Sequence, residues 1–159
     1  MRTSTDAVRD HLVRALAWED AHVGLDTALK GIPAGRRGAR AAGFDHSCWQ
    51  LLQHIRLAQD DILDFCVSGT YTHAMTWPDD YWPGKPAPPS PKAWSASITA
   101  CTRARKRLQQ LARDVPDLTA PVPTGDRTQT YLRALLLVID HTAYHVGQIV
   151  AVRRALGIW

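Results

Sequence analysis

The sequence predicts an all-α fold. Three observations carry that prediction. Apolar residues recur every three or four positions along four long stretches, no stretch alternates apolar and polar residues as a half-buried strand does, and capping residues, glycines and prolines punctuate the ends of those stretches. With 159 residues, 45% of them apolar, the chain suffices for one domain spanning residues 1–159 with its own core.

The first helix is expected from about Asp6 to Lys30, with Val8, Leu12, Ala15, Leu16, Val23 and Leu29 at helical spacing and Gly31 and Pro33 ending it. The second is expected from Cys48 to Val67. Ser47 and Gln50 form an S-x-x-Q capping box, in which each side chain satisfies an orphan backbone N–H. Its apolar stripe is Cys48, Leu51, Leu52, Ile55, Ala58, Ile62 and Phe65. The third runs from about Lys92 to Asp114, with Trp94, Ile98, Cys101, Leu108 and Leu111 on its inner face and Pro116 beyond its end. The fourth is expected from about Arg127 to Leu156. Asp126 and Gln129 offer a D-x-x-Q cap at its start, and Gly157 suits a left-handed cap at its end.

Between the second and third helices lies "SGTYTHAMTWPDDYWPGKPAPPSP", which holds six of the ten prolines and the aromatics Tyr71, Trp77, Tyr81 and Trp82. A crossover this long can set successive helices parallel, where a short loop forces them antiparallel. Loops this long inside a compact domain are usually functional or mobile, and the aromatics argue for a packed one.

Several classes are disfavoured. The longest uncharged apolar run, Ala134 to Ile139, is far below the ~20 residues of a membrane span. The N-terminal "MRTSTDAVRDHLVRAL" scatters charges and lacks the apolar core of a secretory signal. A soluble cytoplasmic protein is expected. Cys48, Cys66 and Cys101 are odd in number and far apart, which suggests packed reduced thiols and no disulfide framework. The net charge of +4 is mild, and "RARKR", Arg103 to Arg107, falls within a helix pattern. It reads as a solvated face, with no nucleic-acid module beside it.

The chemistry concentrates in "HTAYHVGQIVAVRRALG", residues 141 to 157. Residues four apart on a helix lie ~6 Å apart along the axis and differ by about 40° in direction, so His141 and His145 share a face. That face continues through Ala134, Val138 and Ile149. Two imidazoles on an apolar stripe each need a partner where few exist. They are either satisfied core histidines or metal ligands. His54, at the edge of the second helix's stripe, could supply a third nitrogen from across the fold. Neither a zincin nor a di-iron carboxylate site fits, since Thr142 follows His141 and the chain has a single glutamate, Glu19. Of the other histidines, His46 is expected exposed and His73 lies in the crossover. His11 and His22 flank Trp18 on the first helix, where His22 could face the interior as a fourth ligand.

With these residues assembled, the chain resembles the DinB/YfiT-like superfamily. The likeness is carried by "SCWQLLQHIRLAQDDILDF" around His54 and "TYLRALLLVIDHTAYHVGQIVAVRRALGIW" around His141 and His145, with "WPDDYWP" and "WEDAH" in support. The resemblance implies an up-down-down-up four-helix bundle, often a homodimer, with zinc or nickel held by three histidines at the positions of His54, His141 and His145. It also implies a metal-dependent enzyme acting on a small molecule, a transferase using a low-molecular-weight thiol or a hydrolase.

A divalent ion with an open position lowers the pKa of bound water or deprotonates a bound thiol, and either supplies a nucleophile at neutral pH. Gln148, Glu19 and Asp26 are candidate partners for the imidazoles. Tyr144, Trp77 and Trp82 are candidate pocket walls. The alternatives are a metal-stabilised bundle without catalysis, or a stress-related interaction module without metal.

Overall fold

A computed structural model describes residues 4–159, with side chains from Asp6 onward. Residues 1–3, the start of the N-terminal stretch that lacks the apolar core of a secretory signal, lie outside the described residues. Among the described residues the fold is all-helical: α1 (Ser4–Ala15), α2 (Leu25–Leu29), α3 (Cys48–Val67), α4 (Pro91–Asp114) and α5 (Tyr131–Ala155), with 3₁₀ turns at Ala34–Arg36 and Asp79–Tyr81.

The expected second helix is α3, with the same bounds. Ser47 accepts from the Gln50 backbone N–H while the Gln50 side chain accepts from the Ser47 N–H, so the capping box is complete. α4 starts one residue earlier than expected. Ser90 caps it by accepting from Ala93 N–H, and Pro91 takes the first turn, where its missing donor is harmless.

The first helix departs from expectation. It stops at Ala15 and resumes only as the short α2. Glu19, Asp20, Ala21 and His22 are all exposed, so this stretch has no large apolar side chain to hold a helix onto the core. The Glu19 carboxylate instead folds forward to accept from Gly24 N–H at 3.2 Å and Thr27 Oγ1 at 2.9 Å, and so organises the start of α2. Gly31, with φ of 76°, follows the end of α2.

α5 starts later than expected. Asp126 and Gln129 close a turn: Asp126 Oδ1 accepts from the N–H and hydroxyl of Thr128, and Gln129 Oε1 accepts from Asp126 N–H. Thr130 is the actual cap, accepting from Arg133 N–H. Gly157, with φ of 68°, stands just past the other end, where a side chain would be strained.

α3 packs on both α4 and α5, α1 on α4, and α2 on α5. One core cluster joins Leu51, Leu52 and Ile55 of α3 to Ile149 and Val152 of α5 and to Leu25, Ala28 and Leu29 of α2. A second joins Leu12 and Leu16 to Leu63, Leu108, Leu135 and Val138. Judged by a hydropathy window, α5 is long and apolar enough to cross a bilayer, which the count of uncharged residues alone did not reveal. A third of that window is buried against the other helices, while Leu136, Leu137 and Tyr144 are exposed.

Candidate metal centre

The contact between α3 and α5 brings His54, His141 and His145 together. One ring nitrogen from each lies within 4.8 Å of the others, and the Nε2 atoms of His54 and His141 are 2.9 Å apart. His54 is 1% exposed and His145 6%, while His141 is half-buried.

The outer nitrogens are tied down. His54 Nδ1 lies 3.1 Å from the Tyr81 carbonyl, and His145 Nδ1 lies 2.7 Å from Gln148 Oε1. A carbonyl oxygen only accepts, so His54 Nδ1 carries the hydrogen and its Nε2 keeps a lone pair. The same holds for His145 with the Gln148 amide in this orientation.

Burial also holds the rings neutral. It pushes the His54 imidazolium down to about 4, a shift the Tyr81 carbonyl opposes and His145 and His46 reinforce. Burial, with His145 and His54 adding to it, brings His141 down to about 4. His145 is lowered chiefly by burial, against the hydrogen bond that its ring donates to Gln148 Oε1.

This donor set suits a divalent ion. Three neutral imidazoles converge, and two present lone pairs fixed by hydrogen bonds on the far side of the ring. A first-row ion with ~2.0–2.1 Å bonds separates neighbouring nitrogens by about 3.4 Å, so the 2.9 Å pair need open by only about half an ångström.

The crossover forms the walls. Trp82 stacks on His54 at 3.8 Å between ring centroids, and on its other face stacks on His46 at 3.7 Å. Trp77 lies 5.6 Å from His54 and 6.1 Å from His141, and Tyr144 lies 4.9 Å from His145. Trp77 and Tyr144 are 59% and 63% exposed, so apolar surface borders the site on the solvent side.

The crossover is pinned to α3 along its length. Asp61 accepts from Tyr71 Oη at 2.8 Å and from Tyr81 Oη at 2.7 Å. Gln50 Nε2 donates to the Pro83 carbonyl at 2.9 Å, and Ser47 Oγ donates to the Pro86 carbonyl.

Other expectations fare differently. Gln148, read as one of three candidate partners, does meet His145. Glu19 and Asp26 do not reach the histidines: Glu19 organises α2, and Asp26 pairs with Arg105 at 2.7 Å. His22 is exposed, its Nδ1 bound to the Val23 carbonyl, and takes no part in the group. His11 is likewise exposed, against Arg14. His46, expected exposed, is half-buried, because Trp82 covers its ring. The three cysteines are buried and free, and burial pushes Cys48 up to about 11 and Cys66 and Cys101 up to about 12. They are protonated at neutral pH and supply no nucleophile.

Sequence reasoning missed Asp61 and Tyr81. The available signal was spacing: Asp61 lies seven residues, close to two turns, beyond His54 on the same helix.

A cavity of about 870 Å³ opens elsewhere, between α4, α5 and the segment after α1. Trp18, Glu19 and His22 line it, with Gln59, Cys101 and Thr142, and none of the three clustered histidines does. The break after Ala15 thus leaves a gap on a different side of α5 from the candidate metal centre.

Comparison with known proteins bears on the whole arrangement. The sequence profile of the DinB superfamily matches residues 17–149, a span that includes all three histidines. The chain belongs to the DinB superfamily. No curated protein and no solved structure matches it. Membership and the three-histidine group are together compatible with metal binding in this DinB protein.

Proposed function

We propose that His54, His141 and His145 hold one divalent metal ion, zinc or nickel, and that the protein is a metal-dependent enzyme acting on a small molecule. The observation that carries this is the convergence of three neutral imidazoles, two of them hydrogen-bonded through Nδ1 so that Nε2 keeps its lone pair. When bound, such an ion supplies Lewis acidity that makes a thiol or water nucleophilic at neutral pH.

The protein's own residues set the rest. Gln148 and the Tyr81 carbonyl orient the imidazoles. Trp77 and Tyr144 offer apolar surface to a substrate, while Trp82, stacked between His46 and His54, covers the His54 ring. Transfer of a low-molecular-weight thiol is favoured over hydrolysis, because no carboxylate joins the group among the described residues to serve as general base. The family match, the long crossover and the packing of α3 on both α4 and α5 support the up-down-down-up bundle as the frame.

The test is metal content, measured by mass spectrometry on untagged protein beside a His54→Ala, His141→Ala double variant. About one equivalent of zinc or nickel in the native protein, lost in the variant, is expected for a three-ligand site. Metal-free native protein, unchanged in stability by added zinc or nickel, would remove the support for an enzyme. Thiol-transfer assays with an electrophilic substrate then separate a catalytic site from a metal that only stabilises the helices.

A further inference from the structure

The hydrogen bonds behind His54 form a chain that runs away from the site. His54 Nδ1 donates to the Tyr81 carbonyl, the Tyr81 hydroxyl donates to Asp61, and Asp61 sits on the same helix as His54. The loop is closed: α3 holds, through Asp61, the very residue whose backbone holds the α3 histidine. Tyr71 brings a second hydroxyl to the other carboxylate oxygen, and His73 Nδ1 lies 3.0 Å from that hydroxyl. Tyr81 is 5% exposed, and burial and Asp61 together raise both phenols above their ordinary range. The phenols therefore stay protonated and remain donors.

We propose that Asp61 is a positioning residue: by clamping Tyr81 it fixes His54 as the Nδ1–H tautomer, with Nε2 directed at His141 and His145. An imidazole in water populates both tautomers, and only one of them presents a lone pair inward here. Without the clamp, the Asp79–Tyr81 turn is free to shift, and the Tyr81 carbonyl with it. His54 then loses the acceptor that selects its tautomer. The role in metal binding rests on the function proposed above, whereas the tautomer is a property of the metal-free protein.

The experiment compares native protein with Asp61→Ala, Asp61→Asn, Tyr81→Phe and Tyr71→Phe. The His54 tautomer is read from its ring ¹⁵N shifts in chelator-treated protein at neutral pH, and zinc affinity by competition with a chromophoric chelator. Expected is a single Nδ1–H form in the native protein and a mixture in Asp61→Ala and Tyr81→Phe. Their zinc affinity should fall about 10- to 100-fold, the range for groups that orient a metal-binding histidine. Asp61→Asn, which still accepts from one phenol, should recover part of both effects. Tyr71→Phe leaves the Tyr81 bond in place and should alter the tautomer least.

Should Asp61→Ala fail to fold, Tyr81→Phe, which removes one oxygen, carries the test alone. Folded variants with the native tautomer and native zinc affinity would overturn the proposal and leave Asp61 a loop anchor. A tautomer that mixes in the variants, in a protein that binds no zinc even when native, would uphold the clamp and defeat the metal site.

Discussion

α3 and the segment from Ser4 to Leu29 look alike in sequence, each a long run of apolar residues at helical spacing, yet only α3 is continuous. α3 enters through a complete capping box, and both its neighbours cover it, so Leu51, Leu52 and Ile55 are 1% exposed or less. The other segment has four exposed residues between Trp18 and Val23 and splits there, its second part reduced to five residues. Periodicity nominates a helix, but burial of the stripe on every turn sustains it. The difference has a functional side. Continuous α3 carries His54, Asp61 and the anchor points of the crossover on one rigid element, whereas the broken segment borders an open cavity.

Truncation measures that contrast most directly. Leu52→Ala, at a site with no exposure, should cost about 2–5 kcal/mol in urea unfolding, as fully buried leucines do. Val23→Ala, at a half-buried position beside the break, should cost under about 1 kcal/mol. Equal costs would mean that the two segments are held equally well after all.

Acid should weaken the histidine side of the molecule next. His54 and His141 titrate near 4 in the folded protein against an ordinary 6.5, so the unfolded chain binds more protons between those values. Stability of metal-free protein is therefore full above pH 6.5 and declines as pH falls towards 4. Urea midpoints at pH 7 and pH 5 measure the decline, and a His54→Gln, His141→Asn variant should flatten it. A native midpoint independent of pH would contradict the burial of these rings as neutral groups.

The caps sharpen the comparison at its smallest scale. Ser47→Ala removes an acceptor for Gln50 N–H and a donor to the Pro86 carbonyl, and should cost about 0.5–2 kcal/mol. Glu19→Ala removes two exposed hydrogen bonds beside α2 and should cost about 0.5 kcal/mol or less by thermal unfolding. The reverse ranking would show that the start of α2, despite its exposure, is the better anchored.

Much of this was legible before the structure. The bounds and cap of α3, the core of α4 and the shared face of His141 and His145 follow from local rules: i to i+4 spacing, side-chain acceptors for orphan N–H groups, and glycine beyond a helix end. Gln148, three residues from His145 and on nearly the same side, was one of three candidate partners, and of those three it alone meets a clustered histidine. The late start of α5 was not legible, because Asp126 and Gln129 satisfy the same N–H groups in a turn as in a cap, and sequence does not choose between them.

By itself, then, the sequence determined an all-helical fold, where α3 and α4 run, and that His141 and His145 share one face, since each depends on contacts within a turn or two. The tertiary structure alone decided that His54 meets His141 across 87 residues, that Trp82 lies between His46 and His54, and that Asp61 holds Tyr81 beneath the site. Those pairings depend on how the Pro-rich crossover folds back over α3. No local periodicity encodes that path, because it is set by burial of aromatic rings and by satisfying hydroxyl and carbonyl groups distant in sequence.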